Sequence, residues 1–249
     1  MSLLVIIPCF NEGLSIQQTV ASIREAHHSA QIIVIDNAST DDTAEKARQV
    51  GVQVAYESRP GKGFAFRRGL TFLNPEITAV LMVDGDATYG MEPLTRAISL
   101  VENEKFDMIL GVRTSSLNES GARGNQYRSG HVIGNRALSL IFSKFFNLRI
   151  NDALSGWRVF SPEFLFSFHG GNSGFELETE LNAHVRSIGA LIGELPVSYH
   201  GRLEGSESKL STYRDGWKIL RRNVQLVKNE RPLFAFGSLA TPWLLLSLF

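Results

Sequence analysis

Hydrophobic positions in this chain gather in short β-branched runs separated by longer amphipathic stretches. Leu3–Ile7 is an unbroken apolar run stopped by Pro8, and similar runs recur at Gln31–Asp36, Val52–Tyr56, Ala79–Asp84 and Met108–Gly111. Runs this short and this rich in Val and Ile predict buried strands. Ser15–His27, Asp41–Val50, Gly63–Leu73 and Glu92–Glu104 lie between them with helical periodicity. Ser39 and Thr40 are candidate N-caps of the second helix, with Asp41 and Asp42 in its first turn. Strands alternating with helices of about ten residues predict an α/β fold, a mainly parallel, doubly wound sheet. Such sheets bind ligands beyond the carboxyl ends of their strands. Those ends hold Pro8-Cys9-Phe10-Asn11-Glu12, Asp36-Asn37, Asp84-Gly85-Asp86 and Gly111-Val112-Arg113.

Beyond residue 113 the pattern loosens. Thr114–Tyr127 is polar and glycine-rich and reads as a mobile loop. Arg128–Phe146 reads as an amphipathic helix, Gly174–Ile188 as a helix with an acidic start, and Leu191–Tyr199 as a strand. Tyr213–Lys228 reads as a basic helix, and Leu233–Phe249 carries no charge. The first residues are no signal peptide: they lack a basic lead, and Asn11-Glu12 follow too soon.

Composition changes this picture in one respect. The 249 residues carry 25 Lys+Arg against 25 Asp+Glu. The balance conceals an asymmetry: residues 1–110 hold 9 basic and 14 acidic side chains, and residues 111–249 hold 16 and 11. An acidic half suits a metal and a basic half suits anions or a charged surface. The lack of a basic excess argues against nucleic acid as a partner. One cysteine, Cys9, excludes an internal disulfide framework and a multi-cysteine zinc site.

Asp84-Gly85-Asp86 is the strongest local signal. Two carboxylates one residue apart past a buried strand can reach one hard cation, Mg²⁺ or Mn²⁺, which would neutralise a diphosphate. Asp-Gly is also a common turn dipeptide. The same residues with Ala87-Thr88 fit the nucleophile loop of haloacid-dehalogenase-like phosphatases, but here they follow the fourth strand and no late acidic pair appears. Asp36 could accept hydrogen bonds from ribose hydroxyls, or form a turn with Ser39. Asn11 and Glu12 open the first helix, where capping is the plainer role. Gly61-Lys62-Gly63 lacks the outer residues of a phosphate loop, leaving a helix-entry turn or a looser contact with an anion.

In order and spacing, Pro8-x-x-Asn11-Glu12, Val34–Asp41, Gly61-Lys62-Gly63 and Asp84-Gly85-Asp86 resemble the family-2 glycosyltransferases of GT-A fold. Asp152–Arg158 and Arg202–Ser211 are most similar to the polyprenyl-phosphate (dolichol-phosphate) hexosyltransferases within that family. The resemblance covers residues 3–231 and implies a catalytic domain over 1–231 with a membrane-associating segment at 232–249. It implies that Pro8, Glu12, Ile35, Asp36 and Asn37 line the nucleotide of a GDP- or UDP-hexose. Asp84 and Asp86, with Gly85 between them, would hold Mg²⁺ or Mn²⁺, and Arg113, Arg202 and Lys209 would meet phosphates. Phe10 and Thr88 depart from the pattern and leave the nucleotide and sugar open. The resemblance alone implies inversion at the anomeric carbon.

A nucleoside diphosphate leaving group gathers charge on phosphate oxygens, which a cation and an Arg/Lys clamp would stabilise. A polyprenyl phosphate acceptor, already anionic with a second pKa of about 6, needs positioning rather than a base. A saccharide hydroxyl acceptor needs a carboxylate base, for which Asp152, Glu176 and Glu178 are candidates. Arg123, Arg128 and Arg136 could grip an acceptor phosphate, Arg128 first among them. A catalytically silent nucleotide-sugar- or lipid-binding module is the reading from another class. Arg214, Lys218, Arg221, Arg222, Lys228 and Arg231 precede the apolar tail and suit an anionic cytoplasmic membrane surface. As a helix the tail would span about 26 Å, slightly short of a bilayer, and Pro242 interrupts it. A buried C-terminal helix is the other reading.

Overall fold

A computed structural model describes residues 2–115, 150–171, 174, 176–206, 221, 222, 224, 225, 228, 232, 236, 237 and 240. Seven strands form one sheet: β1 (Leu3–Cys9), β2 (Gln31–Asp36), β3 (Gln53–Tyr56), β4 (Ala79–Met82), β5 (Met108–Ser115), β6 (Arg158–Phe160) and β7 (Ile192–Tyr199). Their order is β3-β2-β1-β4-β6-β5-β7. Every pairing is parallel except those of β6, which runs antiparallel to β4 on one side and β5 on the other. The expected mainly parallel α/β sheet is therefore present. Helices α1 (Ile16–Ala26), α2 (Thr43–Gln49), α3 (Lys62–Leu70), α4 (Leu94–Asn103), α5 (Pro162–Ser167) and α6 (Leu177–Ile188) cover it.

The two-residue alternation of side chains divides the core between the faces. On β1, Leu3, Val5, Ile7 and Cys9 face Ile16, Val20 and Ile23 of α1 and Leu94, Ala97 and Ile98 of α4. Leu4 and Ile6 face Ala65 and Phe66 of α3, Phe164 of α5, and Leu177, Leu181 and Val185 of α6. Burial on both faces is why the central strands read as continuous apolar runs rather than alternating ones.

Some local expectations change. β1 runs through Pro8 to Cys9, because the β4 pairing ends at Ile6 and only β2 accompanies Pro8. Ser39 and Thr40 do not cap α2; Asp42 is its N-cap residue. Instead Ser39 Oγ accepts from Asn11 N at 3.0 Å, and Thr40 N donates to Asn11 Oδ1 at 2.8 Å, joining the loops after β1 and β2. β6 and α5 carry no expectation from the sequence. Thr114 and Ser115, the start of the loop expected over Thr114–Tyr127, belong to β5. The rest of that loop and the helix expected over Arg128–Phe146 lie outside the described residues, as do Arg123, Arg128, Arg136, Lys209 and most of the basic helix and apolar tail. Among the described residues no helix is long and apolar enough to cross a membrane.

Candidate active site

The loops that leave β1, β2 and β4 meet at one edge of the sheet. Each contains a non-glycine residue in the left-handed region: Asn11 (φ 54), Ala38 (φ 59) and Ala87 (φ 57). Such conformations are uncommon and gather at functional sites, held by their surroundings. The holding contacts come from α1 and the residue before it. Ser15 Oγ and Thr19 Oγ1 both donate to Gly85 O, at 2.8 and 3.1 Å, and Ala87 N donates to Thr19 Oγ1 at 3.1 Å. Sequence reasoning missed these two residues. The available signal was a pair of hydroxyls four residues apart on an otherwise apolar helix face.

Two glycines admit the acidic loop to this place. A Cβ on Gly85 would come within 2.5 Å of Cys9 Sγ, and one on Gly156 would collide with the Asp84 carboxylate. Asp84 and Asp86 then meet separate cations. Lys62 Nζ lies 2.6 Å from Asp84 Oδ1 and 2.6 Å from Glu178 Oε1. Arg202 Nη2 lies 2.5 Å from Asp86 Oδ2, and its Nη1 lies 3.6 Å from Glu12 Oε1. Asp86 Oδ1 accepts from Thr88 Oγ1 at 2.6 Å.

These surroundings push the two carboxyls in opposite directions. Desolvation opposes the charged form of Asp84, but the Lys62 ammonium outweighs it and holds the carboxyl below its ordinary range. Burial, then the neighbouring Asp84 charge, pushes Asp86 upward against the pull of Arg202 and Thr88.

Arg113 and Asp152 form the second part of the site. Arg113 Nε and Nη2 reach the two oxygens of Asp152, each at 2.7 Å, and Arg113 N donates to Oδ2 at 3.2 Å. The guanidinium also lies over the Tyr199 ring, 5.3 Å from its centroid. This bidentate grip fixes the plane of Arg113. It also engages both oxygens of Asp152, which therefore does not offer a lone carboxylate base.

The remaining expected residues take mixed positions. Glu12 is buried beside Arg202. Asp36 is buried, and its Oδ1 accepts from Ser39 N at 3.1 Å, in the turn given as the alternative to a ribose contact. Asn37 donates to the carbonyls of Glu57 (3.1 Å) and Arg59 (2.7 Å) and accepts from Gly61 N (2.7 Å). Its side chain thus holds the loop before α3. Pro8 lies near the end of its strand beside Ile35. The Ile35 side chain lies in the core on the α3 side of the sheet. Lys62, left between a turn and an anion contact, binds two carboxylates.

The Asp84/Asp86 donor set is hard oxygen, which fits Mg²⁺ or Mn²⁺. Among the described residues no three His, Cys, Asp or Glu side chains converge. A cation here would draw the rest of its shell from water and phosphate oxygens, as Mg²⁺ commonly does.

Comparison with known proteins agrees with this geometry. The family model described as Glycosyl transferase family 2 matches residues 4–166. Glycosyltransferase AglJ of Haloferax volcanii is 32% identical over 234 residues, covering 94% of this chain and 75% of its own. Dolichyl-phosphate hexose transferase of the same organism is 29% identical over 231 residues, covering 92% and 95%. Among solved structures, glucosyl-3-phosphoglycerate synthase from Mycobacterium tuberculosis in complex with UDP superposes with a TM-score of 0.72 at 20% identity, covering 91% of this chain and 80% of that one. The same synthase with Mn²⁺, UDP-glucose and phosphoglyceric acid gives 0.69 at 19% identity, with 91% and 79% covered. At such identity the likeness concerns the fold, which is of GT-A type.

Proposed function

The chain belongs to glycosyl transferase family 2, and from that premise we propose that it moves a hexose from a nucleotide sugar to polyprenyl phosphate at a membrane, with inversion. The observation that carries the reading is the pairing of Asp84 and Asp86 with Lys62 and Arg202 beside the Arg113–Asp152 clamp. With Glu178 on Lys62 and Glu12 on Arg202, five carboxylates there meet three cations, an acidic excess suited to a ligand that brings a divalent cation with its diphosphate.

Asp84 and Asp86 would hold Mg²⁺ or Mn²⁺. The bound ion would supply charge stabilisation to the departing nucleoside diphosphate. Arg113, fixed by Asp152, offers a preset guanidinium to the same phosphates and needs no reorganisation as their charge grows. Arg202 is already committed to Asp86 and can turn one nitrogen to phosphate without leaving the site. The acceptor phosphate is an anion at neutral pH, so the chain's task is to place it in line with the anomeric carbon and offset its charge. Arg128 is the proposed acceptor contact and Lys209 a further phosphate contact. The likeness to a dolichyl-phosphate hexose transferase supports the lipid acceptor. The basic residues before the tail support a peripheral position on an anionic cytoplasmic surface.

One observation favours a second reading, a saccharide hydroxyl acceptor. Glu178 Oε2 is buried and has no hydrogen-bond partner among the described residues, while Oε1 is held by Lys62. That oxygen could take a hydroxyl proton.

The test is transfer of radiolabelled hexose from UDP and GDP donors to a short polyprenyl phosphate with Mn²⁺. Lipid-linked product that disappears in Asp84→Asn/Asp86→Asn supports the proposal, and product that survives in that variant refutes the metal role. Transfer only to saccharides, lost in Glu178→Gln while donor binding persists, establishes the second reading. No release of nucleoside diphosphate from any pair would identify a silent binding module.

A further inference from the structure

Arg158 opens β6 and is fully buried, yet among the described residues no carboxylate forms an ion pair with it. Its Nε donates to Ser155 O at 3.0 Å, Nη2 to Ala153 O at 2.9 Å and Nη1 to Asn182 Oδ1 at 2.6 Å. Asn182 on α6 is itself fully buried, and its Nδ2 donates to Ala153 O at 3.0 Å. A buried charge without an ion partner is costly, and an apolar side chain would fill this volume with less penalty. What the guanidinium gains is a grip on two carbonyls of one short loop.

That loop, residues 152–157, serves the site twice. Asp152 grips Arg113 through both oxygens. Gly156 passes against the Asp84 carboxylate, and its N–H donates to Tyr89 Oη at 2.9 Å. A connecting segment is more mobile than the elements it joins, so holding both contacts calls for bonds that tie it to the scaffold. Here those bonds come from Arg158 and Asn182.

We propose that Arg158 is a positioning residue: its buried fork sets the 152–157 loop and, through Asp152, fixes the Arg113 guanidinium where a donor diphosphate would lie. The inference rests on the reading that Arg113 meets that diphosphate. Lysine would not serve, because it lacks the planar fork that reaches Ala153, Ser155 and Asn182 together. Burial pulls Arg158 down to about 10, while Glu178 and Asp152 pull it up, so the fork stays charged at neutral pH.

The test is a double-mutant cycle on the full chain, reading the dissociation constants of UDP and GDP with Mn²⁺ by calorimetry. Arg158→Lys weakens the nucleotide that the wild type binds by about tenfold, and by less than about twofold once Asp152→Ala has already released Arg113. A merely structural role lowers the melting temperature in both backgrounds but leaves the two effects on affinity additive, and additivity overturns the inference. Affinity unchanged by Arg158→Lys also overturns it. If Arg158→Lys does not fold, Asn182→Ala takes its place in the same cycle, where non-additive losses support the inference and additive ones overturn it. A wild-type chain that binds neither nucleotide removes the proposed function, and this inference with it. Binding by the wild type with additive variants removes the inference alone.

Discussion

Lys62 closes on Asp84 at 2.6 Å, and the same ammonium meets Glu178 at 2.6 Å, so one cation neutralises two carboxylates from distant parts of the chain. The Lys62 side chain is 11% exposed and that of Glu178 3%. Replacing Lys62 by Met would strand a buried carboxylate. Losing one partner of a buried pair costs about 3 kcal/mol or more, and the expected fall in melting temperature is roughly 10 °C. Adding Glu178→Gln to Lys62→Met should recover part of that loss in scanning calorimetry at pH 7. No recovery would mean that Lys62 acts through packing rather than charge.

Gly156 predicts a separation of folding from ligand binding. In Gly156→Ala the new methyl must displace the Asp84 carboxylate. Circular dichroism should stay native, while the rise in melting temperature given by nucleotide with Mn²⁺ disappears. A retained rise would show that Asp84 need not hold its observed place.

Glu57 and Arg59 predict a pH effect away from the acidic loop. Arg59 donates to both Glu57 oxygens at 2.9 Å, and these bonds, with the Arg59 backbone N–H, hold the Glu57 carboxyl at about 2. A carboxyl lowered in the folded state adds stability fully present above its unfolded value of about 4.3, lost as pH falls from there toward 2. Arg59 is largely exposed, so the contribution is well under about 1 kcal/mol. In Arg59→Met, the Glu57 titration followed by carboxyl carbon NMR should move up toward the ordinary range. A midpoint that stays near 2 would contradict the role given to Arg59.

Ser161 is the N-cap of α5, and its hydroxyl accepts from Phe164 N at 3.2 Å. Ser161→Ala should cost about 1 kcal/mol, or roughly 2–4 °C, because α5 places Phe164 and Leu165 in the core. Thermal unfolding checks the figure. A larger loss would show that β6 depends on this cap as well.

The central strands and first four helices were legible because both faces of the sheet are buried there and each run carries its period; β3, expected as a buried strand, is an edge strand with Ala55 buried and Tyr56 exposed. β6 was not, since three residues carry no period and Arg158, Val159 and Phe160 are placed by β4 and β5 rather than by local preference. The acidic pair was legible from its position after β4; Arg113, expected at a strand end, lies inside β5, which runs on to Ser115. Lys62 as a bridge between Asp84 and Glu178 was not, because its second partner lies 116 positions away. Asn37 shows the converse limit: its place after β2 suggested a ligand contact, while its hydrogen bonds run to the next loop.

The single antiparallel strand has a consequence for the order of assembly. Among the described residues the strand order joins β4 to β5 through the three residues of β6, so without β6 the strands fall into two groups, β3-β2-β1-β4 and β5-β7, linked by the isolated Tyr89–Tyr199 bridge. Within the first group only β1–β2 and β2–β3 are near-neighbour pairings, whereas β6 must return across a long span of chain to reach Val80–Met82, as β4 itself does to reach β1. Closing that span carries an entropic cost that local pairing does not, which slows it. In pulsed hydrogen exchange during refolding, amides of β1 and β2 should therefore be protected before those of β6. Gly156 reaches Asp84 only once these long spans are closed, so the acidic loop gains its final surroundings after β1 and β2 have already paired.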